Sequence, residues 1–250
     1  ASTQASIANV AAHADVVRRQ AEARRLRSAG AKIAACESFE AAQALLAEVR
    51  PSQTQALKSM KDGLREMVEA MQRRYDADGA VSGVPTGIES LDALTAGWQA
   101  GDLVIVAARP SMGKTSFALQ AAIAAGRTLT FSLEMTTGRL TERLVANVGR
   151  LPLRWILFPL DAPDDASARV LAASTEAAKL PLLFDDTAGL TVDAICSRAR
   201  QAHMQEPLNL VVVDHLGLIS RPGRHDPSEL GQITTQLKAL AKALGIPVLL

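Results

Sequence analysis

Three consecutive residues, Gly113, Lys114 and Thr115, close a short loop that begins at Ala107 and follows the apolar run Leu103-Val-Ile-Val-Ala107. A glycine, an ammonium and a hydroxyl where a loop becomes a helix suit a phosphate chain. The first N–H groups of a helix are unpaired, and its dipole presents positive charge to an anion. Lysine reaches the β- and γ-phosphates, and the hydroxyl ligates Mg²⁺. The spacing is that of a P-loop, G-x-x-x-x-G-K-[ST], with Ala108 in the place of the first glycine. Ala108, Arg109, Pro110, Ser111, Met112, Gly113, Lys114, Thr115 and Ser116 are therefore the candidate nucleotide cradle. A chance Gly-Lys-Thr on a surface turn is the bland alternative, and the order strand, loop, helix speaks against it.

Two strand-ending acids could serve that loop. Leu208-Asn-Leu-Val-Val-Val-Asp214 is an apolar strand closed by an acid, and such an Asp helps to hold Mg²⁺ in P-loop proteins. The competing role for Asp214 is to cap the next turn. Thr130-Phe-Ser-Leu-Glu134 also ends in an acid. Glu134 would either orient and deprotonate a water in line with the γ-phosphate or sit in the first turn of the following helix, where the dipole favours a carboxylate. The residues alone leave both open. Basic groups occur as Arg198 and Arg200, as Arg221 and Arg224, and as Arg18, Arg19, Arg24, Arg25 and Arg27. Arg221 and Arg224, in the loop after the Asp214 strand, are candidates for nucleic-acid phosphates, with solvated surface charge as the default. His13, His203, His215 and His225 have no metal-ligand spacing. Trp98 and Trp155 read as core or interface groups.

The elements that must position these groups alternate from Gly87 onward. Strands are expected at Leu103–Ala107, Thr128–Ser132, Leu182–Asp185, Leu208–Val213 and Val248–Leu250. Helices are expected at Lys114–Ala125, Gly138–Val148, Ala166–Ala178, Val192–Met204 and Pro227–Leu244, the last with Asp226 as N-cap. Short continuous apolar strands between helices indicate a parallel sheet covered on both faces, an α/β fold. Residues 1–82 differ. Ile7, Val10, Ala14, Val17 and Ala21 form a helical seam, a second helix is expected over Glu37–Val49, and Gly30 lies between them, so 1–53 reads as an all-α helical hairpin. After the break at Pro51, Leu57, Met60, Leu64, Met67 and Met71 line one face of a further helix within 54–82. That stripe needs a cover, either a neighbouring subunit or its own domain. The remaining domain is 83–250. The chain stops at Gly245-Ile-Pro-Val-Leu-Leu250, inside an expected buried strand, so further sequence is expected beyond it.

Composition narrows the classes. The 250 residues suit one large domain with a small addition, and 48% apolar residues allow a sizeable core. A net charge of +1 gives no global field toward nucleic acid, so any such contact must be local. Two distant cysteines, Cys36 and Cys196, favour thiols in a reducing compartment over a metal site. No apolar run approaches the roughly 18 residues of a membrane span. A cytoplasmic protein without membrane association is expected.

Further blocks carry a resemblance. Thr86-Gly-Ile with Leu91-Asp, Gly97-Trp-Gln, the run Asp102 to Thr115, Phe131-Ser-Leu-Glu-Met135, Ser197-Arg-Ala-Arg200, Leu237-Lys-Ala-Leu-Ala-Lys242 and Asn9-Val with Ala14-Asp-Val-Val-Arg18 resemble the DnaB-family replicative DNA helicases over nearly the whole chain. The resemblance implies a RecA-like P-loop NTPase motor in a homo-hexameric ring. It implies ATP and Mg²⁺ as ligands and 5′ to 3′ movement on single-stranded DNA with unwinding at a replication fork. It favours Glu134 as catalytic base beside Lys114, Thr115 and Asp214 as metal ligands, the stripe helix as a linker docked on an adjacent motor, and 1–53 as part of a primase-binding collar. A helicase loader is a further expected partner. His215 and Gly217 depart from the family's usual residues after the Mg²⁺ strand, and the span Lys114–Arg127 is short. An amino-terminal head and the carboxyl-terminal glutamine sensor, arginine finger and much of the DNA loops are missing from the sequence. Competing readings are another RecA-like ATPase, such as a recombination mediator, and a nucleotide-binding scaffold that recruits primase or a loader.

Overall fold

The computed structural model describes residues 20, 23, 24, 27–36, 42, 59–76, 81–109, 112–215 and 227–250. The chain divides into two compact units, Ala1–Arg65 and Glu66–Leu250. In the first, residues 27–34 are helical and the chain turns at Ala35. Gly30, expected between two helices, therefore lies inside one. A lone glycine costs a helix only about 1 kcal/mol relative to alanine and does not end it. Apart from helical positions at Gln20, Ala23, Arg24 and Ala42, the rest of the expected hairpin lies outside the described residues.

Helix α1, Met60–Asp76, begins at a capping box. The Ser59 hydroxyl accepts from the Asp62 N–H at 3.2 Å, and the Asp62 carboxylate accepts from the Ser59 N–H at 3.0 Å. That reciprocal pair starts the helix at Met60; Leu57 lies outside the described residues. Met60, Leu64, Met67 and Met71 are exposed, at 78%, 47%, 50% and 57%.

In the larger unit the elements run α2 (Glu89–Thr95), β1 (Leu103–Val104), α3 (Lys114–Ala125), β2 (Thr128–Ser132), α4 (Thr137–Val148), α5 (Leu153–Leu157), α6 (Ala166–Ala177), β3 (Leu182–Asp185), α7 (Val192–Gln205), β4 (Leu210–Asp214), α8 (Pro227–Leu244) and β5 (Val248–Leu249). The five strands form one parallel sheet in the order β1-β5-β4-β2-β3. Side chains alternate across each strand, which sorts the core into two layers. Val211 and Val213 of β4 pack with Ile195 and Ala199 of α7 and Leu237 and Leu240 of α8. Leu210 and Val212 face the other way, onto Ala121 and Ala125 of α3, with Trp98 beside them. Both faces are covered, so β4 is buried at every position. Full burial of an aliphatic side chain such as Leu237 contributes about 1.5–3 kcal/mol.

The Thr86-Gly-Ile block also has a visible role. The buried carboxylate of Asp92 in α2 accepts from the Thr86 N–H at 2.8 Å. Gly87 has φ +78°, and a Cβ there would lie 2.9 Å from Ala124 Cβ, so this turn can close on α3 only with glycine.

The expected elements are present with small differences. Strand β1 ends at Val104, short of Ala107. It is an edge strand paired only with the equally short β5, and its ladder closes with Val106 N–H to Leu250 O at 2.8 Å. Strand β4 starts two residues later than expected and includes Asp214. Helices α2 and α5 have seven and five residues, too short to show a helical period, and have no counterpart among the expected elements. Trp98 is buried, its ring edge-on to Phe117 at 6.2 Å, and Trp155 lies under the Arg169 guanidinium at 4.9 Å. Asp226 lies outside the described residues.

Candidate active site

The carboxyl ends of β1, β2 and β4 lie on one side of the parallel sheet, where ligands gather in such folds. After β1 the chain runs through Ala108 and Arg109, both exposed, to Met112 and Gly113. Gly113 caps α3 with φ +92°, a left-handed conformation that glycine adopts at no steric cost. The first backbone bond of the helix runs from Phe117 N–H to Gly113 O at 2.9 Å. The N–H groups of Lys114, Thr115 and Ser116 thus lead out of the helix start without a partner among the described residues. Lys114 likewise has no ion pair or hydrogen bond among the described residues. It lines a cavity of about 260 Å³ together with Ala107, Ala108, Asp214, His215 and Leu250. Free N–H groups, a free ammonium and a left-handed glycine fit a polyphosphate. Pro110 and Ser111 lie outside the described residues.

Strands β2 and β4 end in register, with Ser132 opposite Asp214. Leu133 N–H donates to Asp214 O at 2.8 Å, which carries the ladder one step past β2. Glu134 follows on the connection to α4 and meets the residue after Asp214: His215 Nδ1 is 3.2 Å from a Glu134 carboxylate oxygen, without the angle of a hydrogen bond. Thr115 is 99 residues from Asp214 in sequence, yet its hydroxyl donates to the Asp214 carboxylate at 2.7 Å. Asp214 is only 9% exposed, whereas Glu134 is exposed. Glu134, Asp214 and His215 each bring one ligand atom within 4.8 Å of the others. A hydroxyl beside a carboxylate is a hard oxygen donor pair of the kind Mg²⁺ prefers, so these residues fit that ion.

Lys114, Thr115, Asp214 and Glu134 are thus brought together as the sequence suggested. His215, set aside for want of ligand spacing, joins them. Only the register of β2 on β4 puts it there, so spacing along the chain held no signal. Arg198 is not free surface charge: it donates to Asp185 Oδ2 at 2.6 Å and to the Thr187 hydroxyl at 2.9 Å. Burial pushes the Asp185 carboxyl up, but hydrogen bonds from Arg198 and Thr187 outweigh it and hold the group below its ordinary range. Arg221 and Arg224 lie outside the described residues. Among the described residues no helix is long and apolar enough to cross a membrane.

A parallel sheet in this strand order, with a Gly-Lys-Thr loop after β1, an acid closing β4 and another two residues past β2, defines a RecA-like P-loop NTPase. Residues 83–250 match the family model described as DnaB-like helicase C terminal domain, and the chain belongs to that family. Replicative DNA helicase DnaB of Rhodothermus marinus is 36% identical over 269 residues, covering 98% of this chain and 28% of the relative. Its namesake from Haemophilus influenzae is 34% identical over 266 residues, covering 96% and 56%. The chain therefore spans little more than half of one relative and under a third of the other. Among solved structures, one described as an ATPase domain superposes with a TM-score of 0.70 at 30% identity, over 78% of this chain and 70% of that one. A DnaB-like replicative helicase, described with its interactions with primase, gives 0.68 at 28%, over 94% and 58%.

Proposed function

We propose that this chain carries the motor of an ATP-driven replicative DNA helicase, which moves 5′ to 3′ on single-stranded DNA as a hexameric ring and unwinds duplex at the fork. The observation that carries this reading is the meeting of Lys114, Thr115, Asp214 and Glu134 at the carboxyl end of the sheet, in a chain of the DnaB-like family. The free N–H groups at the start of α3 and the Lys114 ammonium bind the β- and γ-phosphates of ATP and orient the γ-phosphoryl group. The Thr115 hydroxyl and Asp214 carboxylate are the residues that would hold Mg²⁺, which supplies charge neutralisation on the phosphate oxygens. Glu134 orients a water against the γ-phosphate and takes its proton at a carboxylate oxygen as the new P–O bond forms and the bond to the β–γ bridging oxygen breaks, releasing ADP and phosphate. In this reading Arg221 and Arg224 contact DNA phosphates. Residues 1–53 belong to a collar that binds primase, 54–82 link it to the motor at 83–250, and a loader assists assembly. The primase named with one structural neighbour supports that partner class. The location is cytoplasmic.

The test is ATP turnover and strand displacement on a forked duplex, by the wild type and Lys114→Ala. Turnover stimulated by single-stranded DNA and abolished by the substitution, with the melting curve intact, is the expected result. Near wild-type turnover in Lys114→Ala would refute the phosphate-binding role. Nucleotide binding without DNA-stimulated turnover would make the protein a scaffold.

A further inference from the structure

Glu134 lies on the short connection Leu133–Thr136 between β2 and α4, and both ends of that connection are tied down. On the β2 side Leu133 N–H bonds to Asp214 O, and the Ser132 hydroxyl donates to Met135 O at 2.7 Å. On the α4 side the expected local tie is missing: Thr136, the N-cap residue, makes no side-chain capping bond. The cap comes from Asp186, 49 residues away, whose Oδ2 accepts from the Thr137 N–H at 2.7 Å. The arm that delivers Asp186 is itself braced, by the pairing of Asp185 with Arg198 and by the Thr187 hydroxyl donating to Asp185 Oδ1 at 2.7 Å. The exposed Asp186 carboxylate is engaged at the start of α4, through its bond from the Thr137 N–H.

We propose that Asp186 is a positioning residue for ATP hydrolysis: it caps α4 from the end of the neighbouring strand β3 and so fixes the place of the Glu134 carboxylate. The inference rests on the reading of Glu134 as general base. Three groups hold the connection: Asp214 on β4, the Ser132 hydroxyl at the end of β2, and Asp186 after β3. Losing Asp186 loosens the α4 end, and the Glu134 carboxylate shifts with it. A carboxylate that must meet an in-line water tolerates little of this, since a misplacement near 1 Å can cost about 10²-fold in rate. Ground-state nucleotide binding depends on α3 and its loop and is untouched. The capping bond to Thr137 also holds the Asp186 carboxyl below its ordinary range, as expected for a charged acceptor at a helix start.

The experiment compares Asp186→Ala, Asp186→Asn, Thr137→Pro and Glu134→Gln in the full chain. It measures kcat and KM for ATP with Mg²⁺ and the affinity for a fluorescent non-hydrolysable ATP analogue. Thr137→Pro deletes the donor from the other side, at the first helical position, where proline is accepted. Asp186→Ala is expected to lower kcat about 10- to 10²-fold with KM and analogue affinity unchanged. Asp186→Asn, which keeps an acceptor oxygen, restores most of the rate. Thr137→Pro reproduces the loss, and the double variant Asp186→Ala with Thr137→Pro is no worse than either alone. Wild-type kcat in Asp186→Ala or in Thr137→Pro overturns the inference. So does a loss of binding in step with turnover, or an Asn variant as slow as Ala. If Asp186→Ala does not fold, Thr137→Pro and Asp186→Asn decide by the same criteria. Glu134→Gln separates the levels. Slow hydrolysis there with normal Asp186 variants defeats only the positioning role, whereas wild-type hydrolysis defeats the general-base reading and the positioning role with it.

Discussion

Replacing Thr115 by valine removes one hydroxyl at nearly constant volume. That hydroxyl donates to Asp214 Oδ2 at 2.7 Å, and Asp214 is 9% exposed. The substitution therefore leaves a largely buried carboxylate oxygen short of its protein donor. Hydrogen bonds to charged groups contribute about 1.5–3 kcal/mol. In a unit of this size each kcal/mol moves the melting temperature by about 2–4 °C, so Thr115→Val should melt roughly 3–12 °C below the wild type. Thr115→Ser keeps the hydroxyl and should lose much less. The assay is scanning calorimetry without nucleotide, repeated with ATP and with ATP plus Mg²⁺. Nucleotide that binds only the folded state raises the melting temperature, and the extra rise due to Mg²⁺ should survive in Thr115→Ser and vanish in Thr115→Val. A valine variant that melts with the wild type would show that the Thr115–Asp214 bond carries no stability. One that retains the Mg²⁺-dependent rise would refute Thr115 as a metal ligand.

Glu134→Gln should keep nucleotide affinity and slow hydrolysis about 10²–10⁴-fold, the usual cost of losing a positioned base. Single-turnover kinetics with a parallel binding titration check this, and binding and turnover falling together would make Glu134 a structural or metal-site group. The stripe of α1 is exposed at Leu64 (47%) and Met67 (50%), and burial by a neighbouring subunit would contribute about 1.5–3 kcal/mol per side chain. Leu64→Ser with Met67→Ser should therefore weaken the ring and its ATPase while the motor's melting temperature holds; an unchanged assembly in sedimentation would exclude that docking. Asp186, capped onto the Thr137 N–H, and Asp185, braced by Arg198, both ionise below the ordinary value of 3.8. Their contribution is complete above about pH 4 and is lost as pH falls through the depressed values, so urea midpoints should drop more steeply below pH 4 in the wild type than in Asp186→Asn. Coincident curves would contradict the capping contact.

How legible the protein was depended on the range of each interaction. The strands Thr128–Ser132 and Leu182–Asp185 and the helices Lys114–Ala125 and Pro227–Leu244 begin and end as the sequence indicated. Apolar runs and helical periods are local patterns, and they survive burial because the core selects for them. The Gly-Lys-Thr loop was legible for a similar reason. A phosphate cradle is built from neighbouring backbone N–H groups, so its chemistry is written in consecutive residues. By itself the sequence also established the α/β class, and it nominated Asp214 and Glu134 as strand-ending acids.

Tertiary structure decided what depends on the register of distant strands. The sequence nominated Thr115 and Asp214 for the same ion, but not the bond between them across 99 positions, and nothing along the chain relates Asp186 to Thr137, 49 positions back. Those pairs exist because β2 lies between β3 and β4, ending level with β4 and one residue beyond β3. The same register sets His215 against Glu134, and the braced turn after β3 converts Arg198 from apparent surface charge into a strut. A hydrogen bond needs its atoms within about 3 Å and aligned, and between remote residues only the folded sheet meets that condition.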